Sequence, residues 1–206
     1  MTVSLIPGMR YGLLALALLA TGLAHAQRVE RPTMQIGDRW KYETKDGLTQ
    51  LLTGQTERII TAVGSEQIEA TENGLPARYT LDFNPLETPE NRFDPASRAL
   101  SFPFAPGDTW RHDGKVAYKS TGAEGRNQYS VRVVGPETIT VPAGRFDTVK
   151  LVMEGYVTLH VMGSSRSTPF VRTYWYAPAI KAYAKIDNDA RNAKWTAELI
   201  ETSIKP

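Results

Sequence analysis

The stretch VPAGRFDTVKLV, Val141 to Val152, decides how this chain is read. Pro142 presets φ for the first turn position, Ala143 accepts the second, and Gly144 supplies positive φ. That order fits a three-residue hairpin loop, a type I turn closed by a left-handed glycine bulge. Before the turn, Ile139 and Val141 share one strand face. After it, Val149, Leu151 and Met153 share a face while Phe146, Thr148, Lys150 and Val152 take the other. Turn chemistry accounts for every residue without a ligand, so the stretch is architecture and not an active site.

Period-two patterning continues outward from this hairpin. YSVRVV, ETITV, TVKLVM, YVTLHVM, FVRTYWYA, AYAKID and KWTAELIE are mostly rich in β-branched and aromatic residues. No stretch keeps the i, i+3, i+4, i+7 apolar spacing over three clean turns. The pattern predicts one all-β domain over residues 27–206, of roughly ten to twelve antiparallel strands in a curved sheet or incomplete barrel. In Asn84 to Leu100, three prolines (Pro85, Pro89 and Pro95) favour an irregular connection over a short helix. A Pro-rich connection at 84–103 would then separate a first half-repeat, 27–83, from a second, 104–206.

The halves share motifs in the same order. IGDRW (Ile36 to Trp40) matches PGDTW (Pro106 to Trp110), AVGSEQI (Ala62 to Ile68) matches VVGPETI (Val133 to Ile139), and Gly74 corresponds to Gly144. An internal duplication explains this; so would two strand–turn–strand units selected by the same local physics.

The ends and the composition set the destination. Arg10 is the only charged residue among the first 26, an apolar run covers Tyr11 to Ala24, and Ala24-His25-Ala26 closes it. This is the tripartite secretory pattern, which predicts a signal peptide over 1–26, cleavage near Ala26, and a periplasmic or secreted product. The mature chain has no second apolar run of membrane-spanning length. Net charge is only +2 with acids and bases interleaved, so no polybasic patch suits nucleic acid. Cysteine is absent, which excludes a cysteine nucleophile, Cys-ligated zinc and a lipidated N-terminal cysteine, and predicts a soluble product.

Catalytic patterns are sparse. His112 and His160 lack metal-ligand spacing, and His112 is expected at a strand end beside an Asp113-Gly114 turn. GSSRS, Gly163 to Ser167, lacks the Gly-x-Ser-x-Gly elbow and reads as a flexible loop. Asp187, Asn188 and Asp189 lack the downstream acid of a calcium loop and read as part of a polar hairpin loop. Asp38 and Asp108 occupy equivalent places, as a two-acid hydrolase would need, but each also suits an Asx-turn that starts a strand. The aromatics Trp40, Tyr42, Tyr174, Tyr176 and Trp195 are expected in the core, with Trp175 opposite Tyr174 and Tyr176; the alternative is an aromatic-lined ligand groove.

GDTW, VPAGRFDTVKL, YWYAPAIKAYAKID and AELIE, mainly over Phe104 to Ile204, resemble a family of exported bacterial β-rich domains of uncharacterised function. The resemblance implies a curved antiparallel sheet akin to the half-barrel of periplasmic lipoprotein carriers, and it brings no catalytic residue with it. Ile180 and Lys181 depart from it, standing where a Gly-bearing turn is expected.

The resulting expectation is an exported, non-catalytic binding or accessory protein without cofactor or metal. Its partner would be a hydrophobic small molecule, a lipid or an envelope protein, with no ligand-binding residues assigned. The alternatives are a structural partner in an envelope complex and a carboxylate-based hydrolase.

Overall fold

Alternating β-branched and aromatic residues form strands because the pleat sends successive side chains to opposite faces. The computed structural model describes residues 28–161, 164–191 and 193–205, so the expected leader at 1–26 lies outside the described residues. The first strands are β1 (Arg39–Asp46), β2 (Leu52–Val63), β3 (Gln67–Glu72), β4 (Leu75–Thr80), β5 (Pro85–Glu87) and β6 (Asn91–Asp94). The rest are β7 (Thr109–Tyr118), β8 (Ala123–Val141), β9 (Gly144–Val161), β10 (Ser164–Ala177), β11 (Ala182–Ala190) and β12 (Trp195–Ser203).

Each strand pairs antiparallel with the next, and β12 pairs with β1, which closes the sheet into a twelve-stranded barrel. The expected fold class is therefore met, and the curved sheet closes. Arg39 reinforces the seam from the outer wall. Its Nε donates to Glu57 of β2 at 2.7 Å and its Nη1 to Glu201 of β12 at 2.9 Å.

The hairpin forms where the sequence places it, but with a two-residue loop in place of the expected three-residue loop and glycine bulge. Gly144, at φ +134°, already pairs with Val141 and leaves Pro142 and Ala143 as the loop. Its tip reaches across one end of the barrel, where the Ala143 N–H donates to the Leu199 carbonyl of β12 at 3.0 Å. Ile139, Ala143 and Phe146 pack there on a core cluster that includes Trp40, Ile60, Ile68, Tyr79 and Leu199. Met34 joins the same cluster, and Val29 bridges Phe104, so the N-terminal segment helps to seal this end. A second cluster, centred on Phe104, Val131, Leu151, Met153 and Tyr176, fills the barrel beneath β8–β10.

Three inward glycines let this wall bend. A Cβ on Gly155 would lie 2.1 Å from the Gln128 carbonyl and 2.5 Å from Cβ of Tyr129; one on Gly114 would lie 2.7 Å from the His112 ring. On Gly125 it would crowd Leu159 and the Thr158 carbonyl. The His112 ring fills the space at Gly114, while neighbouring backbone carbonyls close in on Gly125 and Gly155.

Four local expectations are corrected. His112, Asp113 and Gly114 lie inside β7, because Gly114 makes room for the His112 ring and creates no turn. Ser164 to Ser167 belong to β10, held by pairing with β9 and by a 2.8 Å bond between the Thr158 and Ser167 hydroxyls. Asp187, Asn188 and Asp189 belong to β11, paired with Thr173, Arg172 and Val171. The Pro-rich connection carries the short strands β5 and β6, which complete the barrel between β4 and β7.

Candidate functional site

The two ends of the barrel differ. At the sealed end, inward side chains such as Trp40, Val131, Leu151 and Leu199 are fully buried. Toward the other end, inward positions Thr56 of β2, Val157 and Leu159 of β9, Thr168 of β10 and Trp195 of β12 keep part of their surface accessible. Their strand register turns them inward at the end of the barrel opposite the sealed one, its mouth.

Three arginines share the inward face here: Arg58, Arg172 and, exposed at the rim opposite Leu159, Arg166. Arg58 of β2 lies opposite Glu72 of β3, and its Nε and Nη2 donate to one Glu72 oxygen at 2.9 and 2.5 Å. The Tyr79 hydroxyl donates to the same oxygen, and the guanidinium lies 5.0 Å from the Tyr79 ring centre and 5.5 Å from that of Phe83. Burial alone would lower the Arg58 pKa; Tyr79 and the Glu72 carboxylate outweigh it and hold the group above its ordinary range. Arg58 keeps 23% of its side-chain surface accessible, against 9% for Glu72.

Arg172 of β10 is the second. It shares its face with Phe170, Tyr174 and Tyr176 and lies opposite Asn188 of β11. Its Nε donates to Asn188 Oδ1 at 3.0 Å, and Nη1 approaches the Tyr174 hydroxyl at 3.4 Å. The guanidinium sits 5.4 Å from the Trp195 ring and 5.5 Å from that of Phe170. Asn188 is fixed in turn by donating Nδ2 to the Ala193 carbonyl. Burial raises the pKa of the Tyr118 phenol and the Arg172 charge opposes that rise; burial lifts Tyr129 to about 12, against hydrogen bonds from Ser97 and the Arg98 N–H and, least, the Arg172 charge. No carboxylate among the described residues lies within 4.0 Å of Arg172, so unlike Arg58 it has no charge partner.

The residues singled out in the sequence fall elsewhere. Asp38, 0% exposed, accepts from the Gln35 N–H at 3.0 Å, the Lys205 N–H at 2.7 Å and Lys181 Nζ at 3.1 Å. Exposed Asp108 accepts from the Ala105 N–H at 2.9 Å in a turn of the same design. Both carboxylates thus hold turns. His112 stacks on Tyr129 at 4.7 Å, and burial lowers its pKa. His160 and Ser165 meet at 2.9 Å on the exposed outer wall, with no acid within 4.0 Å of the imidazole among the described residues. Trp40 and Tyr42 are core residues that donate to the Ile180 and Tyr183 carbonyls at 2.7 and 2.8 Å. Tyr174 and Tyr176 are buried on the inward face, while Trp175 packs under Lys150 and Lys185 on the other.

Lys181 explains the departure at the turn that follows β10. It adopts φ +58° after the 3-10 turn Pro178–Ile180, a conformation that favours glycine, and its ammonium neutralises buried Asp38. Sequence reasoning missed Arg58 and Arg172. A readable signal existed for the latter: in FVRTYWYA, alternation places Arg172 on the face of Tyr174 and Tyr176.

The outer face of β8 is polar from Glu124 to Arg132, while Tyr156 of β9 and Val171 of β10 are exposed apolar side chains. Glu124, Arg126, Gln128, Ser130 and Arg132 point outward from β8, and Gly125, Tyr129, Val131 and Val133 inward, the reverse of a lipid-facing barrel. Among the described residues, no helix is long and apolar enough to cross a membrane.

No protein-family profile and no curated protein matches the sequence. Solved structures do share the fold. One is a candidate lipoprotein of Parabacteroides distasonis, with TM-score 0.56 and 14% identity over 86% of this chain and 100% of that one. Another is a candidate exported protein of Bacteroides fragilis with a YmcC-like fold, with TM-score 0.54 and 15% identity over 85% of this chain and 99% of that one. At this identity the likeness shows a common fold: this chain is built like exported bacterial barrels.

Proposed function

We propose that this is an exported, non-catalytic binding protein that holds an apolar or amphipathic molecule in the open half of its barrel. The observation that carries this reading is the contrast between the two ends: inward side chains are sealed at one and partly exposed at the other. Inward side chains such as Val157, Leu159 and Trp195, left partly exposed at one end, offer an apolar guest a surface to cover. Export is supported by the leader pattern at 1–26 and by the description of both fold neighbours as exported proteins or lipoproteins. A binding role is supported further by the state of the acids, since Asp38 is saturated by its turn and Glu72 by Arg58 and Tyr79.

The test is native mass spectrometry of protein taken from the periplasm, joined to titration with a neutral naphthylamine dye that fluoresces in apolar surroundings. A bound adduct, or saturable dye uptake near one per barrel, is expected. A clean apo mass together with no dye uptake overturns the proposal.

A further inference from the structure

We infer that Arg172 is the anchor for an acidic head group, a carboxylate or phosphate monoester, on the molecule held in the lumen. This inference rests on the binding role proposed above and names its ligand class. A guanidinium carries five N–H donors. Arg172 directs Nε to Asn188 and one weak contact to Tyr174, and its remaining donors have no protein acceptor among the described residues. Such a group, half-buried and without a carboxylate partner, forgoes much of its hydration, and a bound anion would restore what is missing.

The surroundings favour that guest. Phe170 and Trp195 hold the guanidinium by ring contacts and leave its edge for a planar two-oxygen partner, the geometry in which arginine binds carboxylate and phosphate. Asn188, itself tied to Ala193, fixes the orientation of the fork. Of the other inward arginines, Arg58 is taken by Glu72, and Arg166 stands exposed at the rim, away from the Phe170 and Trp195 rings that hold Arg172. Asp46, the acid at the mouth end of β1, is engaged with the Leu48 and Thr49 N–H groups of its own turn. Farther toward the mouth, β9 and β10 present Val157, Leu159 and Thr168 on the same face. A ligand entering head first would place its acid at Arg172 and its apolar portion along Val157 and Leu159.

The test compares a fluorescent long-chain fatty acid with its methyl ester on the full-length mature protein, and on R172Q and R172K. Wild type is expected to bind the acid about tenfold or more tightly than the ester, the size of one charge-assisted interaction. R172Q should erase that preference, read as the ratio of acid to ester affinity within the variant itself. R172K, which keeps the charge without the fork, should retain part of it and provides the reading if R172Q fails to fold. Equal binding of acid and ester by wild type, or an undiminished preference in R172Q, overturns the anchor and leaves the lumen role standing. If acid, ester and dye all fail to bind, the lumen role falls and takes the anchor with it. Competition by lysophosphatidic acid against an unlabelled fatty acid then separates phosphate from carboxylate; displacement by neither overturns the head-group assignment.

Discussion

The Asp38 and Asp108 carboxylates each accept an N–H from three residues upstream, and each follows a glycine at positive φ, +89° at Gly37 and +93° at Gly107. The backbone bonds around them also match. Gly37 donates to Ile60 and Ile60 to Asp38, as Gly107 does to Val133 and Val133 to Asp108. Their surroundings differ, for Asp38 is fully buried against Lys181 and Asp108 is exposed. D38A is therefore expected to lose ~3 kcal/mol of stability, because it leaves two N–H groups without their acceptor and the half-buried Lys181 ammonium without its counter-charge. D108A should lose only ~1 kcal/mol, the worth of one exposed turn bond. Urea denaturation of the two variants checks this, and equal losses would contradict the burial argument. At this scale the Gly-Asp-x-Trp pattern made the turn legible. It could not reveal the burial of Asp38, which depends on Lys181 and Lys205, over 140 positions away in the chain.

Strands β8 and β9 show what pattern reading catches and what it misses. Turn chemistry at Pro142–Gly144 is local, so the hairpin was readable. Its reach to Leu199 was not, because that bond joins residues far apart in sequence. Two polar segments, Ser164–Ser167 and Asp187–Asp189, look like loops by composition yet lie in strands, since cross-strand pairing overrides weak local preference. Gly64 and Gly135, matched in sequence, play different parts: the first lies in the turn between β2 and β3, the second at a bulge inside β8. Gly155 carries the sharpest constraint on these elements. G155A should destabilise the fold by ~3 kcal/mol or more, because the new methyl meets backbone and not a movable side chain. A thermal midpoint within a degree or two of wild type would show that the wall yields.

The barrel as a whole depends on the pairing of β1 with β12, from Arg39–Ser203 to Asp46–Trp195. Alternation in the sequence supplied the strands and their number, but closure is a property of registers that no local pattern records. The candidate site shares this fate. Arg172 of β10 reaches the Trp195 ring of β12 across β11, so its setting is fixed only once these strands have paired. A chain ending at Ala193 lacks β12 and leaves the edges of β1 and β11 unpaired. It is expected to lose its near-ultraviolet circular dichroism and to elute as oligomer or aggregate in size-exclusion chromatography. A monomer with wild-type spectrum would mean that β12 is dispensable.

That seam also sets a timetable. Strands that are mutual partners stand at opposite ends of the described chain, so β1 leaves the ribosome, or any export pore, long before β12 follows it. Until then the barrel cannot close, and the sealed end lacks both Leu199 and the Lys205 N–H that satisfies Asp38. Such a polypeptide stays open and threadable for nearly the whole of its passage and completes its fold only after release.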